Sequence, residues 1–193
     1  MSYSELHGGP SPRILVFAGP NGSGKSTVTK GIPSVGLYVN ADQIQRNKGC
    51  SSLDAAQEAE QIRNILLDAK ADFTFETVLS TDRNLELLRR AKEAGYQIFA
   101  VFVLTKDPGI NVERVKARVQ GGGHDVPVEK IVSRYKKSLQ NLKHLIRIAD
   151  FTKVVDNSGE KPSLICEISG TNATVCPSQY WTKSEILDLI YLG

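Results

Sequence analysis

The chain has 193 residues, with 24 Lys and Arg against 21 Asp and Glu for a net charge of +3, and 40% of its residues are hydrophobic. Such a length predicts one domain over residues 1–193 that buries its own core, and the apolar content excludes a disordered chain. No run approaches the ~18–20 apolar residues of a membrane span, no basic-then-apolar leader is present, and three scattered cysteines (Cys50, Cys166, Cys176) fit neither a disulfide framework nor a zinc site, so a cytoplasmic protein without membrane contact is expected.

Strand-like and helix-like segments alternate along the chain. The run Arg13–Gly19 has the unbroken apolar character of a strand buried on both faces, and Leu37–Val39, Phe73–Phe75, Ile98–Leu104 and Phe151–Val155 follow, with a weaker candidate at Leu164–Ile168. Between them, Ala55, Ala59, Ile62, Leu66 and Ala69 repeat with helical spacing behind a cap at Ser51 or Ser52, and Leu85, Leu88 and Ala91 mark a helix stopped by Gly95. After Pro127, Ile131, Tyr135, Leu139, Leu142 and Ile146 form one face of a long helix; Trp181, Ile186, Leu189 and Ile190 suggest a docking terminal one. This alternation predicts an α/β fold: a three-layer αβα domain with a parallel sheet covered by helices on both faces. Ligands of such sheets bind beyond the carboxyl ends of the strands, which directs attention to Gly19 onward, Asn40–Asp42, Glu76–Ser80 and Thr105–Pro108.

The first of these places carries a specific motif. Gly19, Pro20, Asn21, Gly22, Ser23, Gly24, Lys25, Ser26 and Thr27 contain G-x-x-x-x-G-K-S directly after a strand and before a helix. Glycines let the backbone turn its N–H groups toward one anion; Lys25 would bridge the β- and γ-phosphates of ATP or GTP, Ser26 would hold Mg²⁺, and Thr27 is a further phosphate contact. The other strand ends separate the chemistries that share this loop. The base-reading N/T-K-x-D element of GTPases is absent, and where many ATPases place Asp the third strand closes with Glu76. A kinase needs a carboxylate to receive the acceptor's proton, and Asp42 and Glu76 are the two at strand mouths, although Asp42 could equally cap a helix.

Nine Lys and Arg against three acids give Asn111–Arg147 a charge of +6 and leave −3 elsewhere. In its middle, Gly121–Pro127 lies between Arg118 and Arg134, the layout of a lid (residues 111–147) that would bring two cations over a phosphoryl group. Lys136, Lys137 and Lys143 read as a solvated face, and Tyr135 alone as an aromatic argues against a nucleic-acid surface. His124 would support the glycine loop. Asn157, after the Phe151–Val155 strand, stands either at a base-contacting position or in a plain turn.

Taken together, Gly19–Thr27, Asn40-Ala41-Asp42, Phe75-Glu76-Thr77-Val78-Leu79-Ser80, Gly95-Tyr96, Arg114-Val115, Arg118-Val119, Gly122–Pro127, Arg134-Tyr135 and Ser138-Leu139 resemble the zeta toxin family of P-loop kinases over about Arg13–Ser158. The resemblance implies phosphorylation of a small molecule by MgATP or MgGTP, in the characterised toxins the 3′-hydroxyl of the amino sugar of UDP-N-acetylglucosamine, and an antitoxin protein as partner. It implies Lys25 and Ser26 as nucleotide and metal residues, Asp42 as base, Glu76 at the acceptor or metal, Thr77 and Ser80 on the substrate side, and Arg118 and Arg134 as lid arginines, with Arg114 competing for the place of Arg118. Two other readings remain open: an ATP-binding regulatory protein, and a nucleic-acid-end kinase, each with slow intrinsic hydrolysis.

Overall fold

The computed structural model describes residues 11–123 and 125–191. His124 therefore lies outside the described residues. Strand β1 (Arg13–Ala18) leads through the glycine loop into a short α1 (Lys25–Thr29), then to β2 (Leu37–Val39), α2 (Ala41–Lys48), α3 (Ser52–Asp68), β3 (Phe73–Thr77), α4 (Arg83–Glu93) and β4 (Gln97–Leu104). Helices α5 (Pro108–Gln120) and α6 (Val128–Ile148) precede β5 (Phe151–Asp156), β6 (Ser163–Ser169), β7 (Asn172–Val175) and α7 (Lys183–Ile190).

All seven strands share one sheet in the order β2-β3-β1-β4-β5-β6-β7. The first five are parallel, as expected, but β6 and β7 run antiparallel. The reason is length: the chain between Asp156 and Ser163 is too short for a crossover, which needs a dozen or more residues. Strand β7 escaped sequence reading because Asn172–Val175 is half exposed and has no apolar run.

Alternation along β1 builds two unequal layers. Ile14, Val16 and Ala18 face the main core, which α3, α4, α6 and α7 cover through residues such as Ala59, Leu67, Leu88, Leu142 and Ile186. Leu15 and Phe17 face the other way, where Val28 of α1 and Ile32 and Val35 of the following loop pack with Tyr38, Phe99, Val101, Val103, Val155 and Leu164 of the sheet. The expected helical cover on both faces is thus thick on one side and thin on the other. Phe73, Phe75 and Phe102 are wholly buried, and truncating any of them to alanine costs about 3–5 kcal/mol.

Helix boundaries follow local chemistry. Ser51, not Ser52, caps α3 by accepting from the Asp54 N–H at 3.1 Å. Gly95, at φ +87°, follows α4 in the left-handed conformation that ends a helix. The expected lid is not one separate unit. Val112, Val115 and Ile131 form a small core of their own between α5 and the first half of α6, whereas Leu142 and Leu145 anchor the second half in the main core.

Candidate active site

A cavity of about 640 Å³ opens at the carboxyl ends of β1 and β3, within the range typical of small-molecule sites. Asn21, Gly22, Gly24, Lys25, Ser26 and Thr27 line one wall. Gly19, Pro20 and Ser23 shape the loop from behind. A Cβ on Gly19 would lie 2.0 Å from the Val103 carbonyl, one on Gly22 2.4 Å from the Asn111 carbonyl, and one on Gly24 2.1 Å from Asn157 Nδ2, all at positive φ. The loop is therefore pressed onto β4, α5 and the end of β5, a closeness only glycine permits.

Two asparagines brace it. Asn111 Nδ2 donates to the Asn21 carbonyl at 2.6 Å, and its own Oδ1 accepts a short hydrogen bond from the Thr105 hydroxyl. Tyr135 completes the chain by donating its hydroxyl to the Thr105 carbonyl at 2.6 Å, so the loop, α5 and α6 are tied together through buried polar groups. Burial pushes the Tyr135 hydroxyl up to about 12, and being enclosed it offers no face for stacking a base. Asn157 donates Nδ2 to the Ser23 carbonyl at 2.8 Å and is 6% exposed. Its Nδ2 is thus committed to the loop backbone.

Lys25 donates to the Gly19 and Pro20 carbonyls at 2.8 and 3.1 Å, which holds its ammonium within the loop. Burial lowers its pKa to about 8, against the opposing pull of Glu76 and Asp42 and with a smaller push in the same direction from Arg118. Both carboxylates thus lie within electrostatic reach of the ammonium. Asp42 is not the helix cap: Asn40 Oδ1 accepts from the Asp42 and Gln43 N–H groups at 2.9 and 3.2 Å, a contact worth about 1 kcal/mol, leaving the Asp42 carboxylate exposed in the first turn of α2 and on the cavity wall.

Glu76 is the penultimate residue of β3, inside the strand and not after it. Tyr38 donates a short hydrogen bond to Glu76 Oε1, and Asn40 Nδ2 donates to the Tyr38 hydroxyl at 3.3 Å. Burial, reinforced by the Glu76 bond, pushes the Tyr38 hydroxyl up to about 12; it stays a donor and fixes the carboxylate. Sequence reading missed Tyr38, because an aromatic in a three-residue strand carries no signal of its partner.

Arg114, Arg118 and Arg134 all line the cavity. Arg134 Nη1 reaches Asn21 Oδ1 at 3.4 Å. Arg114 Nη1 is buried without a hydrogen-bond partner among the described residues, and it stands 3.8 Å from the position a Gly24 Cβ would take. Thr77 and Ser80 also line the cavity, and Thr77 Oγ1 accepts from the Leu79 N–H and from Asn84 Nδ2 at 2.9 and 2.8 Å, holding the turn after β3. In that turn Leu79 adopts φ +56°, an uncommon conformation for a side chain of its size.

A phosphate cradle after the first strand, a lysine within it, two carboxylates opposite and arginines from α5 and α6 define a P-loop protein of the kinase fold. A profile of the zeta toxin family matches residues 3–164, and the chain belongs to that family. An uncharacterized protein of Haemophilus influenzae is 27% identical over 129 residues, covering 64% of this chain and 92% of its own. A chain of the PezAT chromosomal toxin-antitoxin system of Streptococcus pneumoniae superposes with a TM-score of 0.60 at 15% identity, covering 95% of this chain and 84% of that one. The AvrRxo1-ORF1:-ORF2 complex with ATP gives a TM-score of 0.67 at 12% identity over 86% of this chain, which spans 61% of that one. At these identities the structural likenesses speak for the fold.

Proposed function

We propose that this chain is a kinase that moves the γ-phosphoryl group of ATP or GTP onto a hydroxyl of a small molecule. One observation carries the reading: Lys25 in its cradle, Asp42 and Glu76 border a single cavity, with both carboxylates acting on the lysine's charge. That is the juxtaposition phosphoryl transfer requires, a cationic seat for the donor beside an acceptor-facing base.

In this reading Gly22, Gly24 and Lys25 seat the β- and γ-phosphates, and the partnerless Arg114 Nη1 beside Gly24 gains a phosphate oxygen as acceptor. Asp42 accepts the hydroxyl proton of the acceptor as the O–P bond forms. Glu76, held by Tyr38, orients the acceptor. Arg118 and Arg134 offset the charge spread over the equatorial oxygens and exclude water. Among the described residues no group of three or more His, Cys, Asp and Glu is placed to hold a metal, so Mg²⁺ would arrive with the nucleotide and bind the Ser26 hydroxyl, as its reluctance to lose water favours. Held there, Mg²⁺ would supply positive charge to offset that of the triphosphate.

The family resemblance makes UDP-N-acetylglucosamine the first acceptor to try, and it extends the proposal to a protein antitoxin as partner, which the toxin-antitoxin origin of the Streptococcus pneumoniae structure supports. The test is incubation with MgATP and UDP-N-acetylglucosamine, then a panel of hydroxylated metabolites, with mass spectrometry for a gain of one phosphate. Hydrolysis of ATP with no phosphorylated acceptor anywhere in the panel would replace the kinase reading with a regulatory ATPase, and transfer to an oligonucleotide end would replace it with a nucleic-acid kinase.

A further inference from the structure

The cavity continues beyond the two carboxylates onto a wall built by α3 and the turn after β3, where Ala56, Ala59, Arg63, Ser80, Thr81 and Asn84 line it. Arg63 is the odd member. It is 7% exposed, its Nε is buried with no hydrogen-bond partner, and its guanidinium carbon lies 5.2 Å from the centroid of the Phe75 ring. Among the described residues no carboxylate or carbonyl receives it. Glu60, the acid that acts on its charge, is already paired with Arg83 at 3.0 Å. Burial without a partner also depresses its pKa, mainly through desolvation.

Asn84 repeats the pattern beside it. Its Nδ2 is committed to Thr77 Oγ1 at 2.8 Å, while its Oδ1 is buried and partnerless. A guanidinium drawn almost wholly out of water onto a ring face has gained cation–π attraction, but its Nε–H has no acceptor and no protein group receives its Nη donors among the described residues. Such a group is costly unless an anion completes it. The small Ala59 and Ala56, one and two turns before it on α3, line the same wall and leave room for an anion.

We propose that Arg63 is the oxyanion-reading residue of the acceptor half of the cavity, so that the acceptor is a hydroxyl compound bearing a phosphate or carboxylate, with a hydrogen-bond donor facing Asn84 Oδ1. Placing the acceptor there rests on the kinase reading; the anion site itself does not. The arginine sits on the α3 wall, across the cavity from the nucleotide loop, and the forked guanidinium suits a planar or tetrahedral oxyanion better than a single charge.

The test uses the whole chain saturated with Mg²⁺ and a nonhydrolysable ATP analogue, so that the phosphate loop is filled. The ¹⁵N Nε–Hε resonance of Arg63 is followed while inorganic phosphate, and separately acetate, is titrated in. A saturable millimolar shift of that resonance is expected, with phosphate or acetate the stronger according to which oxyanion the site was built for. Arg63→Gln should weaken the binding by about tenfold or more and Arg63→Lys should recover part of it. A resonance that neither anion moves, or equal affinity in Arg63→Gln, overturns the proposal, and the wild-type titration stands whether or not the variants fold. Phosphate bound at Arg63 in a protein that phosphorylates nothing would remove the kinase reading and leave the anion site in place.

Discussion

Lys25 holds its ammonium on two loop carbonyls, an arrangement that nucleotide must undo. Burial lowers its pKa from the ordinary lysine range to about 8, so the free protein loses this charge as pH rises through that range, and a polyphosphate favours the charged form. Nucleotide binding at pH 8 should therefore take up a fraction of a proton, and the uptake should vanish near pH ~6, where the lysine is already charged. Calorimetry in buffers of different ionisation heat measures this directly; release of protons, or no exchange, would contradict it. Tyr38 gives the second prediction at this scale. Tyr38→Phe removes the donor that fixes Glu76 while leaving the loop intact, and it should lower kcat by about tenfold with the KM for ATP nearly unchanged. Equal losses in both parameters would mean that Tyr38 supports the fold and not the carboxylate. The phosphate loop residues and both carboxylates were legible because their chemistry is written in a fixed spacing. Arg63 was not, although a signal existed: the buried stripe of α3 is Ala55, Ala59, Arg63 and Leu67, a strict four-residue repeat into which a cation intrudes. Apolar residues alone trace the stripe through Ile62 and Leu66 instead, and so step past it.

Helix α7 shows how single side chains fasten an element to the sheet. Lys106, just past β4, pairs with Glu185 at 2.5 Å and lies 4.3 Å over the Trp181 ring, while Glu185 also closes a capping box with Thr182. The Lys106 hydrogen bond, helped by the Thr182 donors, holds the Glu185 carboxyl down at about 2, below the ordinary carboxylate range. A depressed carboxyl contributes stability above its unfolded pKa and loses it as pH falls through its folded one. Glu185→Gln should thus melt at lower temperature than the wild type at neutral pH, and the gap should close between pH ~4.5 and ~2. A gap that persists at pH 2 would assign the effect to packing. Strands with continuous apolar runs and helices with clear spacing were readable in advance, and so was the stop at Gly95. The antiparallel β6 and β7 were not, because their direction is decided by the length of the connection after Asp156 and by pairing with β5, neither of which leaves a residue pattern.

At the scale of the molecule, a net charge of +3 conceals a division with a purpose. Arg114, Arg118 and Arg134, from the region with a charge of +6, converge on the cavity, while Lys136 and Lys137 stay exposed on the outer face of α6. Their lid is half free and half fixed, a small separate core at one end and anchorage in the main core at the other. Among the described residues, the thin layer behind β1 covers that face of the sheet with α1 and the loop after it alone, while buried polar groups brace the phosphate loop itself. No helix among the described residues is long and apolar enough to cross a membrane.

The central claim is that Asp42 serves as the base of a phosphoryl transfer. Its most direct test is the single-turnover rate of phosphate transfer from ATP to an accepted hydroxyl compound, compared between wild type and Asp42→Asn, with ATP affinity measured alongside. The account predicts a fall of about 10²–10⁴-fold in the transfer rate with ATP binding retained; transfer at the wild-type rate in Asp42→Asn would contradict it.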